Sequence, residues 1–340
     1  MRPDFSRRQK TLRKLMEERG VDAVFLSNHD DIYYYTGYLG LREDRIFLLF
    51  PRDEEPKLIV TPLENEAKVK YPNTIFIGRV KDFMKELKVY KKVGYDEKEM
   101  NVLLFKELEK LGVRLEAFGK FLEIPRITKD PYEIEQIRKA IEITGKVFEH
   151  IEGKLVGKSE IEIANEIDIQ FRRHGVDNAF ESIVASGKQS AFIHHKPNER
   201  IVRKSDPVLV DIGCRVNGYC SDLTRMFFER LGKKERGIYE DVKEIRDEII
   251  DSIRVGVMYK DVENIQKKLF RKKGYKVVHY FGHGVGLSVH DPVGDVLKEN
   301  MVLTVEPGVY VKNIGGFRIE DMVLVKRGKS VLLSESIPSR

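Results

Sequence analysis

The chain has 340 residues, 41% of them hydrophobic, so it is long enough for two domains with sizeable cores and too apolar to be disordered. Lys and Arg number 61 against 55 Asp and Glu, a formal net charge of +6. The two signs are interspersed rather than grouped in basic blocks, a pattern typical of solvated helix faces. We therefore expect no nucleic-acid partner.

No run approaches the roughly 20 apolar residues of a membrane span. The first twenty residues, MRPDFSRRQKTLRKLMEERG, indicate an amphipathic helix rather than a signal peptide. The sequence therefore predicts a cytoplasmic protein with no membrane partner. Abundant Lys and Glu, with only two Cys and no Trp, are consistent with a thermophilic source.

Residues 1–122 are predicted to form a smaller α/β domain. An initial helix leads to the strand DAVFLS, and RIFLLF, KLIVT and TIFIG are predicted as further strands, with a helix near LENEAKVK. His29 stands among polar residues and is expected in a surface loop.

A second domain is predicted over residues 123–340. The segment TKDPYE is typical of a helix start, with its Asp as the cap and its Pro in the first turn. Another helix follows Ser159, and strands follow that helix. The succession then recurs, with helices from about Glu235 and Lys260 and strands from His279 to the end. Two such halves predict internal pseudo-two-fold symmetry.

The stretch VLVDIGCRVNGYCSDLTRMFF, beginning at Val208, predicts a buried hairpin. Asn217-Gly218 favours a type I′ turn, because both central residues of that turn need a positive φ. The turn fixes a register in which Val216 pairs with Tyr219. The two cysteines of the chain then fall on opposite faces, so no disulfide is expected, in keeping with a reducing cytosol.

The same register gathers acids on one face of the hairpin. Asp211 pairs with Thr224, and Asp222 becomes its diagonal neighbour beside the small Gly213. Like charges this close raise each other's pKa, and a bound cation would reverse that penalty. The alternative is a solvent-facing hairpin with two harmless acids. Cys220 shares this face and could be a metal ligand. Thiolates prefer softer metals than carboxylates do, so a lone thiol among carboxylates favours Cys220 as a bystander.

Later segments add titratable residues at otherwise apolar positions. FGHGVGLSVHD contains His283 and His290 and lacks the Lys-Ser/Thr pair of a phosphate loop. MVLTVEPGVY contains Glu306, and GGFRIEDMVLV contains Arg318 and Glu320. With the hairpin acids, this makes four carboxylates and one imidazole, His283. Burying four charges needs compensation, which two divalent cations would supply, and this donor set suits Mn, Co, Fe or Zn.

In their order along the chain, these motifs resemble the creatinase, aminopeptidase P, prolidase and methionine aminopeptidase superfamily, and most of all short archaeal or bacterial Xaa-Pro dipeptidases. YYYTGYLG is similar to the signature of the N-terminal domain, and TKDPYEIEQIRKA to the start of the catalytic domain. Five further stretches resemble the catalytic blocks of the family, in the same order: SGKQSAFIHHKP, VDIGCRVNGYCSDLTR, GHGVGLSVHD, TVEPGVY and RIED. The resemblance implies a pita-bread α/β (α+β) catalytic domain after a smaller creatinase-type domain, and a homodimer.

The resemblance also implies an activity, the hydrolysis of Xaa-Pro bonds in short peptides by a metal-dependent exopeptidase. Asp211 would chelate one metal, Asp222 and Glu320 would bridge both, and His283 and Glu306 would bind the other. The metals would share a hydroxide that attacks the scissile carbonyl, with Glu306 as the proton shuttle.

Three further residues receive roles from the resemblance. His194 and His290 match positions that contact the substrate, and Arg318 would orient the neighbouring carboxylates. Ile193 stands where the family usually has Pro before the first histidine. His195 therefore remains an alternative to His194.

One departure bears on substrate length. Short prolidases commonly place an Arg four residues after the histidine matched by His290, where it can clamp the free carboxylate of a dipeptide. Gly294 occupies that position here, which favours longer Xaa-Pro-Xaa substrates unless Lys298 or a residue of a dimer partner replaces the clamp. Other readings are a catalytically inactive, peptidase-like binding protein and a creatinase-like hydrolase that needs no metal; the retained ligands disfavour both.

Overall fold

The computed structural model describes residues 2–41 and 44–338. Contacts divide the chain into two compact units, Met1–Arg126 and Ile127–Arg340. The domain boundary between residues 122 and 123 stays a prediction. Among the described residues, no helix combines the length and apolar character needed to cross a membrane.

The first unit contains a six-stranded sheet in the order β4-β3-β2-β1-β5-β6. Strand β2 runs antiparallel to both of its neighbours, and the other adjacent strands are parallel. In chain order, the elements are α1 (Phe5–Arg19), β1 (Ala23–Leu26), α2 (His29–Thr36), β2 (Phe47–Pro51), β3 (Lys57–Val60), α3 (Ala67–Lys70), β4 (Thr74–Phe76), α4 (Val80–Met84), a 3₁₀ helix (Lys85–Val89), β5 (Lys92–Tyr95), α5 (Val102–Glu109), β6 (Arg114–Ala117) and α6 (Gly119–Ile127).

His29 begins helix α2, so the loop expected there is wrong. Asn28 caps this helix by accepting hydrogen bonds from the backbone N–H groups of Asp30 and Asp31. Every residue from position 31 to position 36 is buried. The helix therefore has no exposed face over these residues. The regular spacing of apolar and polar residues that predicts a surface helix is absent from its sequence.

The second unit repeats two helices followed by strands, as the sequence predicts. Its elements are α7 (Pro131–Ile151), α8 (Glu160–Arg173), β7 (Asp177–Asn178), β8 (Ile183–Ser186), a 3₁₀ helix (Gly187–Ala191), β9 (Val208–Ile212), β10 (Cys214–Val216), β11 (Tyr219–Cys220), β12 (Leu223–Phe227), α9 (Lys233–Ser252), α10 (Tyr259–Lys273), β13 (Val302–Val305), β14 (Gly308–Val311), β15 (Gly315–Arg318), β16 (Asp321–Leu324) and β17 (Val331–Leu332). The strands form sheets in the orders β12-β9-β8, β11-β10-β7, β13-β16-β17 and β14-β15.

Helices α7 and α8 start where the sequence predicts, and both starts are capping boxes. Asp130 accepts a hydrogen bond from the backbone N–H of Glu133, whose carboxylate accepts one from the backbone N–H of Asp130. Ser159 and Glu162 repeat the arrangement at α8. Such caps satisfy backbone donors that the first turn of a helix leaves unpaired.

Residues 279–301 form an irregular segment, so the strands predicted from His279 begin only at Val302. Close backbone approach explains the difference. A Cβ added to Gly282 would lie 1.9 Å from the carbonyl oxygen of Thr304, and one added to Gly284 would lie 2.5 Å from that of Asp291. These glycines let the segment fold against β13 without entering a regular ladder.

An apolar cluster behind the strands gives the second unit its rigidity. It joins α9 and α10 to the sheets through fully buried side chains such as Ile249, Phe270, Leu303 and Val323. Burying a side chain of this size stabilises the fold by about 1.5–3 kcal/mol. Of the candidate ligands, Asp211 lies in β9, whereas His283 lies in the irregular segment; the other three, Asp222, Glu306 and Glu320, directly adjoin β12, β13 and β16.

Candidate metal centre

The hairpin adopts the predicted turn and register. Asn217 and Gly218 have φ of 48° and 84°, as a type I′ turn requires. Val216 pairs with Tyr219, and Asp211 pairs with Thr224. The acid face predicted for the hairpin is therefore present.

A break in the ladder separates the turn from the acid pair. A Cβ on Gly213 would lie 2.0 Å from the carbonyl oxygen of Ser221, so the strands approach too closely there for any side chain. Cys214 and Cys220 are both free thiols, in agreement with the prediction. The Cys220 thiol donates to the carbonyl of Leu287 at 3.4 Å, which gives it a structural partner.

The predicted ligands converge on one point. The candidate ligand atoms of Asp222, His283 and Glu320 all lie within 4.8 Å of one another. The Nε2 atom of His283 is 3.5 Å from Oδ2 of Asp222 and 3.4 Å from Oε1 of Glu306. Asp211 is linked to Glu320 by hydrogen bonds, because Arg318 donates to both Asp211 and Thr224, and Thr224 donates to Glu320. We call these five side chains the acid cluster.

Burial and mutual repulsion shift the pKa values of the cluster. Burial first, and then the charges of Glu320, Asp211 and Glu306, raise the pKa of Asp222 well above its ordinary value. Burial likewise raises the pKa of Glu306 to about 7 and lowers that of His283 to about 4. Without a cation, the cluster therefore holds protons that free carboxylates would lose.

Two features of the cluster fit a divalent metal. Oδ1 of Asp211 is buried, and it has no hydrogen-bond partner among the described residues, which leaves a carboxylate oxygen available to a cation. Nδ1 of His283 lies 3.0 Å from the carbonyl of Gly284 and must donate to it, so Nε2 keeps its lone pair toward the acids. Four carboxylates and a neutral imidazole form a donor set suited to such ions.

Arg318 supports the cluster from beneath. Its side chain donates to Oδ2 of Asp211 at 2.6 Å, to the hydroxyl of Thr224 at 3.0 Å and to the hydroxyl of Tyr310 at 2.8 Å. Thr224 in turn donates to Oε2 of Glu320 at 2.8 Å. Partners of this kind fix the orientation of carboxylate ligands.

Tyr310 is a residue that the sequence reading missed. In the β14–β15 pair, Gly308 faces Arg318 and Tyr310 faces Gly316, so Tyr310 lies on the face of Arg318, two residues along the strand. Strand alternation from Glu306 could have suggested it. His279 was missed as well. Its Nε2 lies 3.1 Å from the Tyr310 hydroxyl, and no motif marks it.

The two adjacent histidines differ in burial. His195 is largely buried, and its Nε2 lies 2.7 Å from a carboxylate oxygen of Glu160. His194 is exposed.

The remaining histidine of the motifs reaches the cluster directly. His290 is exposed, and its ring centroid lies 4.1 Å from that of His283. Of the predicted outer residues, His290 therefore lies beside a member of the acid cluster, and His195 pairs with Glu160.

Known proteins share both units of this chain. Residues 135–327 match Metallopeptidase family M24, and residues 8–127 match the Creatinase/Prolidase N-terminal domain. The chain is 31% identical to an Xaa-Pro dipeptidase of Pyrococcus furiosus, over 97% of this chain and 98% of that protein. Its fold matches a prolidase from Thermococcus sibiricus with a TM-score of 0.91, 30% identity and 98% of each chain covered. An X-Pro aminopeptidase from Thermotoga maritima matches with a TM-score of 0.88, 28% identity and coverages of 97% and 98%.

The chain belongs to metallopeptidase family M24. The predicted superfamily, the mixed α/β fold with a creatinase-type N-terminal domain and the assignment as a metallopeptidase are thereby confirmed. Membership of this family also implies the use of divalent metal, in agreement with the donor set of the acid cluster.

Proposed function

We propose that this protein hydrolyses Xaa-Pro bonds in short peptides as an exopeptidase. The observation that carries the proposal is the acid cluster, in which the possible ligand atoms of Asp222, His283 and Glu320 lie within 4.8 Å of one another and Glu306 lies 3.4 Å from His283. The substrate class follows from the full-length likeness to an Xaa-Pro dipeptidase and to an X-Pro aminopeptidase.

The acid cluster would hold two divalent ions, of Mn, Co, Fe or Zn. We assign Asp211 to one ion, His283 and Glu306 to the other, and Asp222 and Glu320 to both. When bound, the ions would lower the pKa of a shared water toward neutrality, to supply the attacking hydroxide, and polarise the scissile carbonyl.

Glu306 would move the proton of the reaction. A carboxylate at this place would accept a proton from the attacking water and pass it to the leaving nitrogen of proline. Burial raises the pKa of Glu306 to about 7 in the metal-free protein, and a bound cation lowers it toward the base form that accepts the proton.

His194 and His290 would bind the substrate at the rim of the cluster. Both imidazoles are exposed. Each would donate a hydrogen bond to a substrate oxygen, and such bonds strengthen as negative charge develops on the oxygen. Arg318 would not serve this purpose, because its donors are already engaged with Asp211, Thr224 and Tyr310.

Substrates longer than a dipeptide are proposed to be accepted at least as well as dipeptides. A dipeptide ends in a free carboxylate just past the scissile bond, and burying that charge needs a cationic partner. Gly294 stands where short prolidases commonly carry an Arg, and the exposed Lys298 is the nearest cation downstream in sequence.

The deciding experiment is an assay of the full-length, metal-reconstituted protein on Ala-Pro and Ala-Pro-Ala, with Ala-Ala-Ala as the matched control. Metal-dependent cleavage of the two proline peptides alone supports the proposal. Equal cleavage of Ala-Ala-Ala contradicts the specificity for proline. A metal-loaded protein that cleaves none of them is the inactive binding protein of the alternative reading.

We further propose a homodimer, on the strength of the family resemblance alone. Light scattering of the full chain in solution tests it, since a dimer has twice the mass of 39.5 kDa. A monomer that is active on the proline peptides would refute the dimer and leave the proposed activity intact.

A further inference from the structure

A single buried carboxylate holds the loop that carries His194. Glu160, the first residue of α8, is fully buried, and its Oε2 lies 2.7 Å from Nε2 of His195. Its Oε1 accepts hydrogen bonds from the backbone N–H of Ser186 at 2.7 Å and from the hydroxyl of Ser186 at 2.6 Å. Glu160 therefore contacts the loop of residues 187–198 both at Ser186, just before its first residue, and at His195.

The end of the loop is fixed at the same helix start. The backbone N–H of Asn198 lies 3.4 Å from Oε2 of Glu160, and the carbonyl of Asn198 accepts from the backbone N–H of Ile161 at 3.1 Å. With its side-chain nitrogen turned toward Glu160, the Gln189 amide donates to Oε1 at 3.1 Å and to Oε2 at 3.2 Å. Glu160 thus binds the loop near its beginning, at His195 and at its end.

The loop is also fixed to the support of the acid cluster. The hydroxyl of Ser190 accepts a hydrogen bond from the backbone N–H of Gly316 at 2.8 Å, and Gly316 belongs to β15, the strand that ends at Arg318. The side chain of His195 is paired with Glu160, and the adjacent His194 is exposed. The anchor at His195 therefore restricts the backbone from which the His194 side chain projects.

The other rim histidine has the same arrangement. Asp291 directly follows His290, and its Oδ2 lies 3.0 Å from Nζ of Lys129, with both side chains at most 2% exposed. Lys129 directly precedes the cap of α7. Gly286 leaves room for this pair, because a Cβ there would lie 2.2 Å from Oδ2 of Asp291. Each exposed histidine is thus followed by an inward residue paired at the start of a helix.

We propose that Glu160 and Lys129 are positioning residues for the peptidase reaction. Glu160 places His194 through His195, and Lys129 places His290 through Asp291, so that both imidazoles stand at the rim of the acid cluster. This inference rests on the proposed function. It adds that residues which never touch the substrate determine how well the rim histidines act on it.

The test is a double-mutant cycle on the metal-loaded, full-length protein with Ala-Pro-Ala. Glu160→Gln keeps the shape of the side chain and removes its charge. We expect kcat to fall about tenfold with KM changed less, since the displaced histidine acts mainly on the transition state. In a His194→Ala background, the same substitution should change kcat less than about twofold, because the group that it positions is gone.

Glu162→Gln is the matched control, since Glu162 lies in the same turn of α8, is exposed and bonds only to Ser159 among the hydrogen bonds described above. It should leave kcat unchanged. Two substitutions of His195 test the same contact from its other side, in case the Glu160 variant misfolds. His195→Gln keeps a donor that reaches Glu160 and should retain most of kcat, whereas His195→Ala should lose it about as Glu160→Gln does.

Equal losses from Glu160→Gln with and without His194 would overturn the inference, because they would show a general structural effect. So would equal activity of His195→Gln and His195→Ala. If His194→Ala itself leaves kcat unchanged, the proposed role of His194 fails instead. A second cycle, Asp291→Asn with His290→Ala, tests the Lys129 pair by the same criterion.

Discussion

Arg318 and Asp211 share one hydrogen bond of 2.6 Å, which occupies Oδ2 of the carboxylate and leaves Oδ1 buried without a donor from the described residues. The guanidinium therefore orients this carboxylate while leaving one oxygen available to a cation. The two residues are 107 positions apart in the sequence. The contact joins β15 to β9 at the centre of the acid cluster.

Replacing Arg318 by Lys should weaken metal binding. Lys keeps the charge but cannot donate to Asp211, Thr224 and Tyr310 in the planar geometry of the guanidinium. We expect a loss of about 10- to 100-fold in metal affinity, measured by titration calorimetry of the metal-free protein. Arg327→Lys, at an exposed position, is the control. Unchanged affinity in Arg318→Lys would remove Arg318 from the support of the cluster.

Asp222→Asn should lower both the metal content and kcat, the latter at least about 100-fold, because a bridging carboxylate has no substitute. Elemental analysis of the purified variant and the Ala-Pro-Ala assay measure the two quantities. Asp251→Asn, at an exposed site, provides the same chemical change without contact to the cluster. An Asp222→Asn variant with full metal and full activity would end the two-metal assignment.

The adjacent histidines should differ strongly in their effect on catalysis. His194→Ala should lower kcat/KM by roughly 100-fold or more, a loss of about 2.7 kcal/mol in transition-state stabilisation. His195→Ala should cost much less, because His195 points to Glu160 rather than to the cluster. Steady-state kinetics of both variants decide the matter. The reverse ranking would show that His195 is the residue in contact with substrate.

Metal should stabilise the protein more at pH 8 than at pH 5.5. Burial raises the pKa of Glu306 from 4.5 to about 7, so the metal-free folded state holds a proton that the unfolded chain releases. Its stability therefore falls as the pH rises from about 4.5 through 7, whereas metal binding improves as that proton is lost.

Differential scanning calorimetry with and without metal measures this effect as a gain in Tm at each pH. Glu306→Gln should reduce the dependence of the gain on pH, because its side chain does not titrate. A gain in Tm that is the same at pH 5.5 and pH 8 would contradict the proposed link between Glu306 and the metal.

Substrate length should follow from the residue at position 294. We expect kcat/KM for Ala-Pro-Ala to equal or exceed that for Ala-Pro, because Gly294 offers no cation to the free carboxylate of a dipeptide. Gly294→Arg should raise the activity on Ala-Pro selectively. The position has room, since the nearest neighbour of an added Cβ is a methyl group of Met301 at 3.4 Å.

The alternative anchor is tested in parallel. If kcat/KM for Ala-Pro exceeds that for Ala-Pro-Ala tenfold or more, the argument from the missing clamp is wrong. Lys298→Ala then identifies the anchor, because it should abolish that preference if Lys298 binds the carboxylate. A preference that survives Lys298→Ala points to a residue of a dimer partner.

Much of the catalytic unit could be predicted from the sequence because the signals are local. The caps at Asp130 and Ser159 act within one helical turn, and the turn at Asn217-Gly218 fixes the register of its own hairpin. Alternation along those strands then places Asp211 and Asp222 on one face. Motif order along the chain supplied the remaining members of the cluster through the family resemblance.

By itself, then, the sequence determined the helix starts, the hairpin and the candidate donors, because these depend on neighbours a few residues away. Tertiary structure decided which of the two adjacent histidines is paired inside the protein, since that depends on Glu160, 35 positions from His195. It also added Tyr310 and His279 and replaced the strands expected after position 279 by an irregular segment. The irregular segment arises where glycines allow distant backbones to meet, and local patterns carry no information about such contacts.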